Sequence, residues 1–326
     1  MGRALRWLGF LIFFIVVCAS GIGFWGYTEF VQPGTLPAEK IIIIQRGVGI
    51  ERIAINLARH NVIKVPIILS FAARTIAADK SLQAGEFSFP KNVSPREVLE
   101  ILQKGKQVVR RLTIAEGLTS SEIVEILRKT EGLAGSLIVP VKEGELLPET
   151  YHFTYGDSRN ALAKRMQDGM NKVLTTSWAG RSSNLPLKNI EEALVLASIV
   201  EKETGQAAER ARVAGVFINR LRLNMRLQSD PTVSYGITQG QQDLGRALTR
   251  KDLKTPTSYN TYVIKGLPPG PIANPGRAAL EAVLHPANTG ELYFVADASG
   301  GHAFARNLAG HNRNVAKWRK LQKSKK

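Results

Sequence analysis

Residues Trp7 to Tyr27 run 21 positions without a charge. As a helix rising 1.5 Å per residue, this run would be about 31 Å long, close to the roughly 30 Å hydrocarbon core of a bilayer. Beyond it the pattern turns amphipathic. Ile41 to Ile44 is β-branched and predicts a strand. Ile50 to His60 places Ile50, Ile53, Ala54 and Leu57 on one stripe, which predicts a helix. Val65 to Ala77 predicts a second helix, and Glu86 to Phe89 a short strand. Ser94-Pro95-Arg96-Glu97 is a helix start, with Ser at the N-cap, Pro at the first helical position and Glu at N3. That helix runs through Leu102 and ends near Gly105. Thr119-Ser120-Ser121-Glu122 is a second capping box, followed by Ile123 to Leu127. The runs Glu97–Leu102 and Glu122–Leu127 are near copies, either as two ordinary amphipathic helices or as traces of two related small units.

Gln32 to Pro37 contains Pro and Gly and reads as linker. From about Gln107 a larger region begins. Helices are expected around Ala161 to Thr175, Ile190 to Thr204 and Glu209 to Leu223. Turn-rich segments dense in Pro, Gly, Asn and Tyr follow between Asp230 and Gly276. A short strand, Leu292 to Ala296, and a Gly-His-rich loop close the chain. The expected fold class is α+β: a cytoplasmic tail 1–6, a single N-terminal transmembrane helix 7–27, a linker 28–39, a small domain 40–106 and a mixed α+β domain 107–326.

The flanks of the apolar run indicate its orientation. Trp7, Trp25 and Tyr27 sit at its ends, where amphipathic rings favour the interface. Arg3 and Arg6 precede it, so the short N-terminus stays in the cytoplasm and the remainder is exported. A cleaved signal peptide ending near Ala19 and Ser20 is the alternative; the length of the run and its aromatic far end favour an anchor. Val17 before Cys18 speaks against a lipoprotein.

Composition narrows the classes further. The 326 residues are 44% apolar and 22% charged, which supports a packed core. The net charge of +17 raises nucleic acid as a partner, but no zinc-finger spacing or RNA-binding aromatic motif accompanies it. The one tight basic cluster is Arg319, Lys320, Lys323, Lys325 and Lys326 at the C-terminus. Cys18 is the single cysteine, so no intramolecular disulfide forms. His60, His152, His285, His302 and His311 lack metal-ligand spacing, and neither a metal nor an organic cofactor is expected.

Candidate chemistry lies on the helix from Ile190. Asn189 can cap it, with Glu192 at N3. From Ala193 to Val200 seven of eight residues are apolar, so most faces are buried. Glu201 and Glu203 end this helix. They point about 160° apart at 100° per residue. Glu203 stacks over Leu196, Ile199 and Val200, and a carboxylate above aliphatic side chains loses hydration, which raises its pKa. A glycosidase acid needs that shift. Spacing alone leaves open that both are helix-end charges paired with Lys202, Arg210 or Arg212.

The run Leu196-Ala-Ser-Ile-Val-Glu-Lys-Glu-Thr204 resembles the core motif of the endolytic murein transglycosylases, the YceG-like family. The resemblance continues in order through Val216-Phe-Ile-Asn-Arg-Leu221, Met225-Arg-Leu-Gln-Ser-Asp-Pro-Thr232, Ser258-Tyr-Asn-Thr-Tyr262 and Gly266-Leu-Pro-Pro-Gly-Pro-Ile272. It extends to His285-Pro286, Leu292-Tyr-Phe-Val-Ala-Asp297, Gly301-His302 and His311-Asn312. The segment Gly144-Glu-Leu-Leu-Pro-Glu-Thr-Tyr151 departs from the family pattern, with Leu147 before Pro148 in place of an aromatic and Glu149 in place of Asp.

The resemblance implies a LysM-like domain at 40–106 ahead of the catalytic region, and it assigns the catalytic role to Glu203. It implies a lytic transglycosylase of peptidoglycan glycan strands, cutting the bond between N-acetylmuramic acid and N-acetylglucosamine and closing a 1,6-anhydro ring. One residue that is acid and then base suffices for such chemistry, whereas hydrolysis usually takes two carboxylates. Gln228, Asp230, Tyr235, Tyr259, Asn260 and Tyr262 are candidate substrate-binding residues, since polar and aromatic side chains in turns commonly line sugar clefts; structural packing of loops is the other account of each. The expected setting is the inner membrane with the catalytic domain in the periplasm, and the expected partners are peptidoglycan and its synthases. Two further readings stay open: a non-catalytic wall-binding scaffold, and a hydrolytic muramidase with Asp230 or Glu149 as second carboxylate.

Overall fold

The computed structural model describes residues 2–75, 81–297 and 300–324, with the side chains of residues 2–4 and 324 left aside. Ala77, the expected end of the second helix, and Lys325 and Lys326 of the basic cluster lie outside the described residues. The chain forms two compact units, Met1–Arg110 with His152–Gly156, and Arg111–Tyr151 with Asp157–Lys326.

The first unit begins with helix α1 (Gly2–Val31). Leu5–Val31 is long and apolar enough to cross a membrane, with a mean hydropathy of 2.3. Strand β1 (Lys40–Ile44), helices α2 (Ile50–Arg59) and α3 (Pro66–Thr75), strand β2 (Gly85–Phe89) and helix α4 (Pro95–Lys104) follow. β1 and β2 pair antiparallel, from Lys40 opposite Phe89 to Ile44 opposite Gly85. Ile42, Ile44, Phe87 and Phe89 meet Ile53, Leu57, Leu69, Val98 and Leu102 in one apolar core. The Ser94 capping box forms as expected, with Ser94 N–H donating to Glu97 Oε2 at 2.8 Å and Glu97 N–H to Ser94 Oγ at 3.3 Å.

Gln32 to Pro37 differs from the linker expected there. Phe30 and Leu36 are buried in the core of the first unit. Gly34 N–H donates to Asn92 O at 3.0 Å, and Asn92 N–H to Leu36 O at 2.9 Å. A Cβ on Gly34 would lie 2.3 Å from Val93 O, so only glycine admits this approach. Pro and Gly here shape a packed corner rather than a loose tether.

Strands β3 (Val109–Thr113) and β4 (Thr150–Thr154) pair with each other, and neither was expected. The exposed and half-exposed alternation of β3 gave no continuous apolar signal. The second unit is mainly helical: α5 (Ser120–Lys129), α6 (Arg159–Ala179), α7 (Ile190–Glu203), α8 (Ala207–Arg222), α9 (Asp230–Thr238) and α10 (Arg277–Leu284). An antiparallel pair, β5 (Tyr293–Ala296) and β6 (His302–Ala305), precedes α11 (Leu308–Ser324). Both copies of the repeated run carry capping boxes, but α4 belongs to the first unit and α5 to the second.

Helix α7 packs against α6, α8, α9 and α10. Its Val195, Leu196, Ile199 and Val200 meet Met170 and Leu174 of α6, Val213 and Phe217 of α8, and Leu280 and Val283 of α10. Neighbours on several sides explain why its middle is almost wholly apolar. Helix α9 stands where only turns were expected. Its sequence contains Gly236 and β-branched residues of low helix propensity, so Pro231 in its first turn and tertiary packing set it. The sharpest contact is at Gly236, where a Cβ would lie 2.4 Å from Thr257 Oγ1. Helix α11 carries the basic residues Arg319, Lys320 and Lys323. Its polar sequence shows little apolar periodicity, yet it packs on β5 and β6.

Candidate active site

Asn189 Oδ1 accepts the Glu192 N–H at 2.9 Å, which opens α7, and the Glu192 carboxylate turns back to the Lys188 N–H at 2.7 Å. Thr204 is extended, with φ −143°, and the helix stops there. Glu203 is therefore its last residue, at the end where unpaired carbonyls disfavour a negative charge.

Glu203 Oε1 accepts the Ser229 hydroxyl at 2.5 Å. Ser229 is held in turn from below. Its N–H donates to Thr261 Oγ1 at 2.9 Å, its carbonyl accepts the Thr232 hydroxyl at 2.7 Å, and the Thr232 and Thr261 hydroxyls meet at 2.8 Å. All three residues are buried. Burial lifts the Glu203 carboxyl from its ordinary 4.5 to about 7, and the charge of Asp230 pushes the same way. The Ser229 hydroxyl, His302 and Arg220 oppose the shift.

Arg220 and His302 are fixed by their own partners. Arg220 Nε donates to Leu292 O at 2.7 Å and Nη1 to Leu227 O at 2.5 Å, while the guanidinium lies 5.3 Å from the Tyr293 ring centroid. His302 Nδ1 meets Glu209 Oε2 at 2.8 Å, and its N–H donates to Glu209 Oε1 at 3.0 Å.

Glu201 has a different environment. Its side chain is 6% exposed, and Arg210 Nη2 lies 3.8 Å from Oε1. Its Oε2 accepts the N–H of Gly276, the N-cap of α10, at 2.8 Å. Burial pushes the Glu201 carboxyl up, and the Gly276 N–H and Arg210 pull it back. Glu201 thus ties α7 to the positive end of α10, much as the paired helix-end account expects, whereas Glu203 meets a neutral hydroxyl.

The residues expected to bind substrate divide into groups. Asp230 is exposed and accepts the Tyr262 hydroxyl at 2.7 Å. Gln228 is exposed, adopts φ +52°, and donates its N–H to Thr261 O at 3.2 Å, so it sits in the same corner as Ser229. Tyr235 and Tyr259 form a tilted ring pair with centroids 4.8 Å apart. The Tyr235 hydroxyl donates to Glu143 Oε2 at 3.2 Å, and Gly270 closes over Tyr259, where a Cβ would lie 3.0 Å from the hydroxyl. Asn260 turns inward instead. It is fully buried, its amide donates to Asp252 O, Leu253 O and Thr255 O at 3.3, 3.2 and 2.7 Å, and its Oδ1 accepts the Tyr262 N–H at 2.9 Å. Its polar atoms hold the 252–262 loop, which corrects the expectation of a cleft-facing amide.

Lys202, Asp230, Tyr235, Gly240 and Arg246 line a cleft of about 650 Å³ with Thr119. Glu149 is exposed and lies 3.6 Å from Arg277 Nε. Among the described residues, no group of three or more His, Cys, Asp or Glu is gathered as metal ligands would be.

Sequence reasoning did not single out Ser229, Thr261, Arg220 or Glu143. Ser229 and Arg220 stand inside runs that carried the family resemblance, but their pairing spans elements far apart in the chain. Glu143 is raised by burial and accepts the Ser120 N–H at 2.8 Å as well as the Tyr235 hydroxyl. No local pattern marks it.

The YceG-like family model matches residues 42–317. The endolytic murein transglycosylase of Streptococcus pneumoniae serotype 2 (strain D39) is 30% identical over 95% of this chain and 64% of its own length. The endolytic murein transglycosylase of Bacillus subtilis (strain 168) is 38% identical over 54% of this chain and 48% of its own length. The chain therefore spans less than two thirds of the length of these relatives. The crystal structure of a yceG-like protein from Listeria monocytogenes matches with a TM-score of 0.52 and 28% identity, covering 85% of this chain and 99% of that one.

Proposed function

For a chain that belongs to the YceG-like family, we propose a membrane-anchored lytic transglycosylase that cuts the glycan strands of peptidoglycan, with Glu203 as its catalytic acid and base. One observation carries the assignment of Glu203. It is a carboxyl lifted to about 7 by burial, bonded to the Ser229 hydroxyl and close enough to Asp230 to feel its charge. Such a group is part protonated near neutral pH and can both give and take a proton.

The reaction follows from that property. Glu203 gives its proton to the oxygen bridging N-acetylmuramic acid and N-acetylglucosamine, and the bond to the anomeric carbon breaks. The N-acetyl group of the substrate supports the electron-poor carbon. Glu203, now a carboxylate, takes the proton of the C6 hydroxyl, whose oxygen closes the 1,6-anhydro ring. The Ser229 hydroxyl and the charges of Arg220 and His302 favour the carboxylate form between the two steps. Tyr235, Tyr259, Tyr262, Asp230 and Gln228 are the surfaces we assign to the sugars, and cleavage within strands would set their length. Residues 40–106 serve as a LysM-like wall-binding domain and 107–326 as the catalytic one. Helix α1 anchors both to the cytoplasmic membrane from outside the cytoplasm. Peptidoglycan synthases are the partners such an enzyme would work beside.

The proximity of Asp230 favours one second reading, hydrolysis, in which that carboxylate would activate water. Glu149, beside Arg277, is less suited to the role. Digestion of purified glycan strands followed by mass spectrometry separates the readings. Anhydro ends support the transglycosylase, reducing ends the muramidase, and intact strands a non-catalytic scaffold.

A further inference from the structure

The hairpin of α2 and α3 leaves apolar side chains in the open. Ile55, Ile67 and Phe71 are 45%, 71% and 67% exposed. Ile67 and Phe71 stand one turn apart and share a face of α3. Arg74, a turn further along, pairs with Glu51 of α2. With only residues 60–65 between the helices, this pair sets them side by side in opposite directions. Ile55, one turn past Glu51, is thereby brought toward Phe71. Arg52, Arg59, Lys64 and Arg74 are exposed around this apolar strip, and Glu51 is the one carboxylate between Ile50 and Thr75. An apolar centre ringed by cations matches the boundary between anionic headgroups and acyl chains.

The path of α1 puts that surface at the right height. The charge-free run ends at Tyr27, and α1 continues unbroken to Val31. These four residues add about 6 Å of rise, within the roughly 5–8 Å headgroup layer on each side of the hydrocarbon core. Phe30 is already packed in the core of the first unit. Glu29 and Gln32 line a narrow crevice together with Lys64, Val65 and Ile68, so the end of α1 abuts the start of α3. Residues Gln32 to Pro37 are pinned to the same core and give no slack.

We propose that the α2–α3 hairpin docks on the bilayer that α1 crosses, with Ile67 and Phe71 in the headgroup–acyl boundary and Arg59, Lys64 and Arg74 against anionic headgroups. The proposal rests on the reading of α1 as a membrane anchor. It makes the first unit a fixed foot on the membrane rather than a body swinging on a tether.

The test uses the full chain in vesicles of phosphatidylcholine and phosphatidylglycerol in a ratio of about three to one, with lipids brominated along the acyl chains as quenchers. A fluorophore is placed at native Cys18, or, in Cys18→Ser, at Ile67→Cys or Lys106→Cys. Lys106 is an exposed reference beyond the far end of α4, whose Pro95 lies at the end of α1. The proposal expects quenching at 67 at least about twofold stronger than at 106, weaker in purely neutral vesicles, and lost on adding Phe71→Asp. Equal quenching at 67 and 106, with Cys18 quenched, overturns the docking alone. An unquenched Cys18 overturns the anchor and the docking together. A blue-shifted but unquenched label at 67 assigns the patch to a protein partner and also overturns the proposal.

Discussion

The Ser229 hydroxyl reaches Glu203 Oε1 at 2.5 Å, joining the residue before α9 to the last residue of α7. Ser229 is held on its other side by Thr232 and Thr261, so the donor is fixed before any substrate arrives. A preset donor favours the carboxylate, while burial favours the acid. The balance of these two opposed effects puts the group near neutrality.

Replacing Glu203 by Gln keeps the shape and an acceptor for Ser229 but removes the transferable proton. We expect release of 1,6-anhydro products to fall by about 10⁴-fold or more, the upper end for a positioned acid–base group, because both half-reactions use it. Glu201→Gln retains an acceptor for Gly276 N–H and loses its charge opposite Arg210. It should keep most of the activity and the native fold. Normal product yield from the Glu203 variant would remove it from the chemistry.

The free enzyme must hold a proton on Glu203 to begin, so activity should decline as pH rises through about 7. Ser229→Ala removes a donor to the carboxylate, and the Glu203 pKa climbs further. The alkaline fall of the pH–rate profile should then move to higher pH. A shift toward acid, or none, would mean that Ser229 does not set this proton affinity.

The same shift enters stability. Unfolded, Glu203 loses its proton near 4.5; folded, near 7. Between these values the native state binds more protons than the unfolded one, so stability falls as pH rises through the window and then levels off. The full effect is on the order of 3 kcal/mol. Glu203→Gln should therefore be more stable than the parent at pH 8, by up to that amount, and nearly matched at pH 4. Urea unfolding at the two pH values reads the difference, and equal differences at both would contradict a raised pKa.

Arg220 is buried with its guanidinium on the carbonyls of Leu227 and Leu292. Arg220→Leu leaves both acceptors dry and removes a cation whose charge favours the Glu203 carboxylate. We expect a loss of about 3 kcal/mol or more in stability. Chemical denaturation tests it; a cost under about 1 kcal/mol would show that the carbonyls find other donors.

Much of the helical framework could be read without coordinates. The caps at Ser94, Thr119 and Asn189 are local chemistry, since each side chain reaches a backbone N–H three residues on. The charge-free run of α1 and the apolar middle of α7 are equally local signals. Helices α9 and α11 were not legible. The first depends on Gly236 lying against Thr257, and the second on a polar helix finding the face of β5 and β6. Asn260 looked like a sugar ligand because its neighbours are aromatic and polar, yet its amide closes on backbone carbonyls that only the loop geometry brings together.

By itself, then, the order of residues determined where helices start, which helix is buried, and that a carboxylate ends it, because capping, periodicity and chain length act over a few residues. Spacing and periodicity left Glu201 and Glu203 nearly equivalent, two acids separated by one lysine, and in the sequence it was the family resemblance that singled out Glu203. The tertiary structure supplies the physical difference between them: α10 offers Glu201 a helix N-terminus and Arg210 a charge, while Ser229, backed by the Thr232 and Thr261 hydroxyls, offers half-buried Glu203 one bond. A pKa depends on what surrounds the charge in space, and those surroundings arrive from segments about 26 to 75 residues away in the chain.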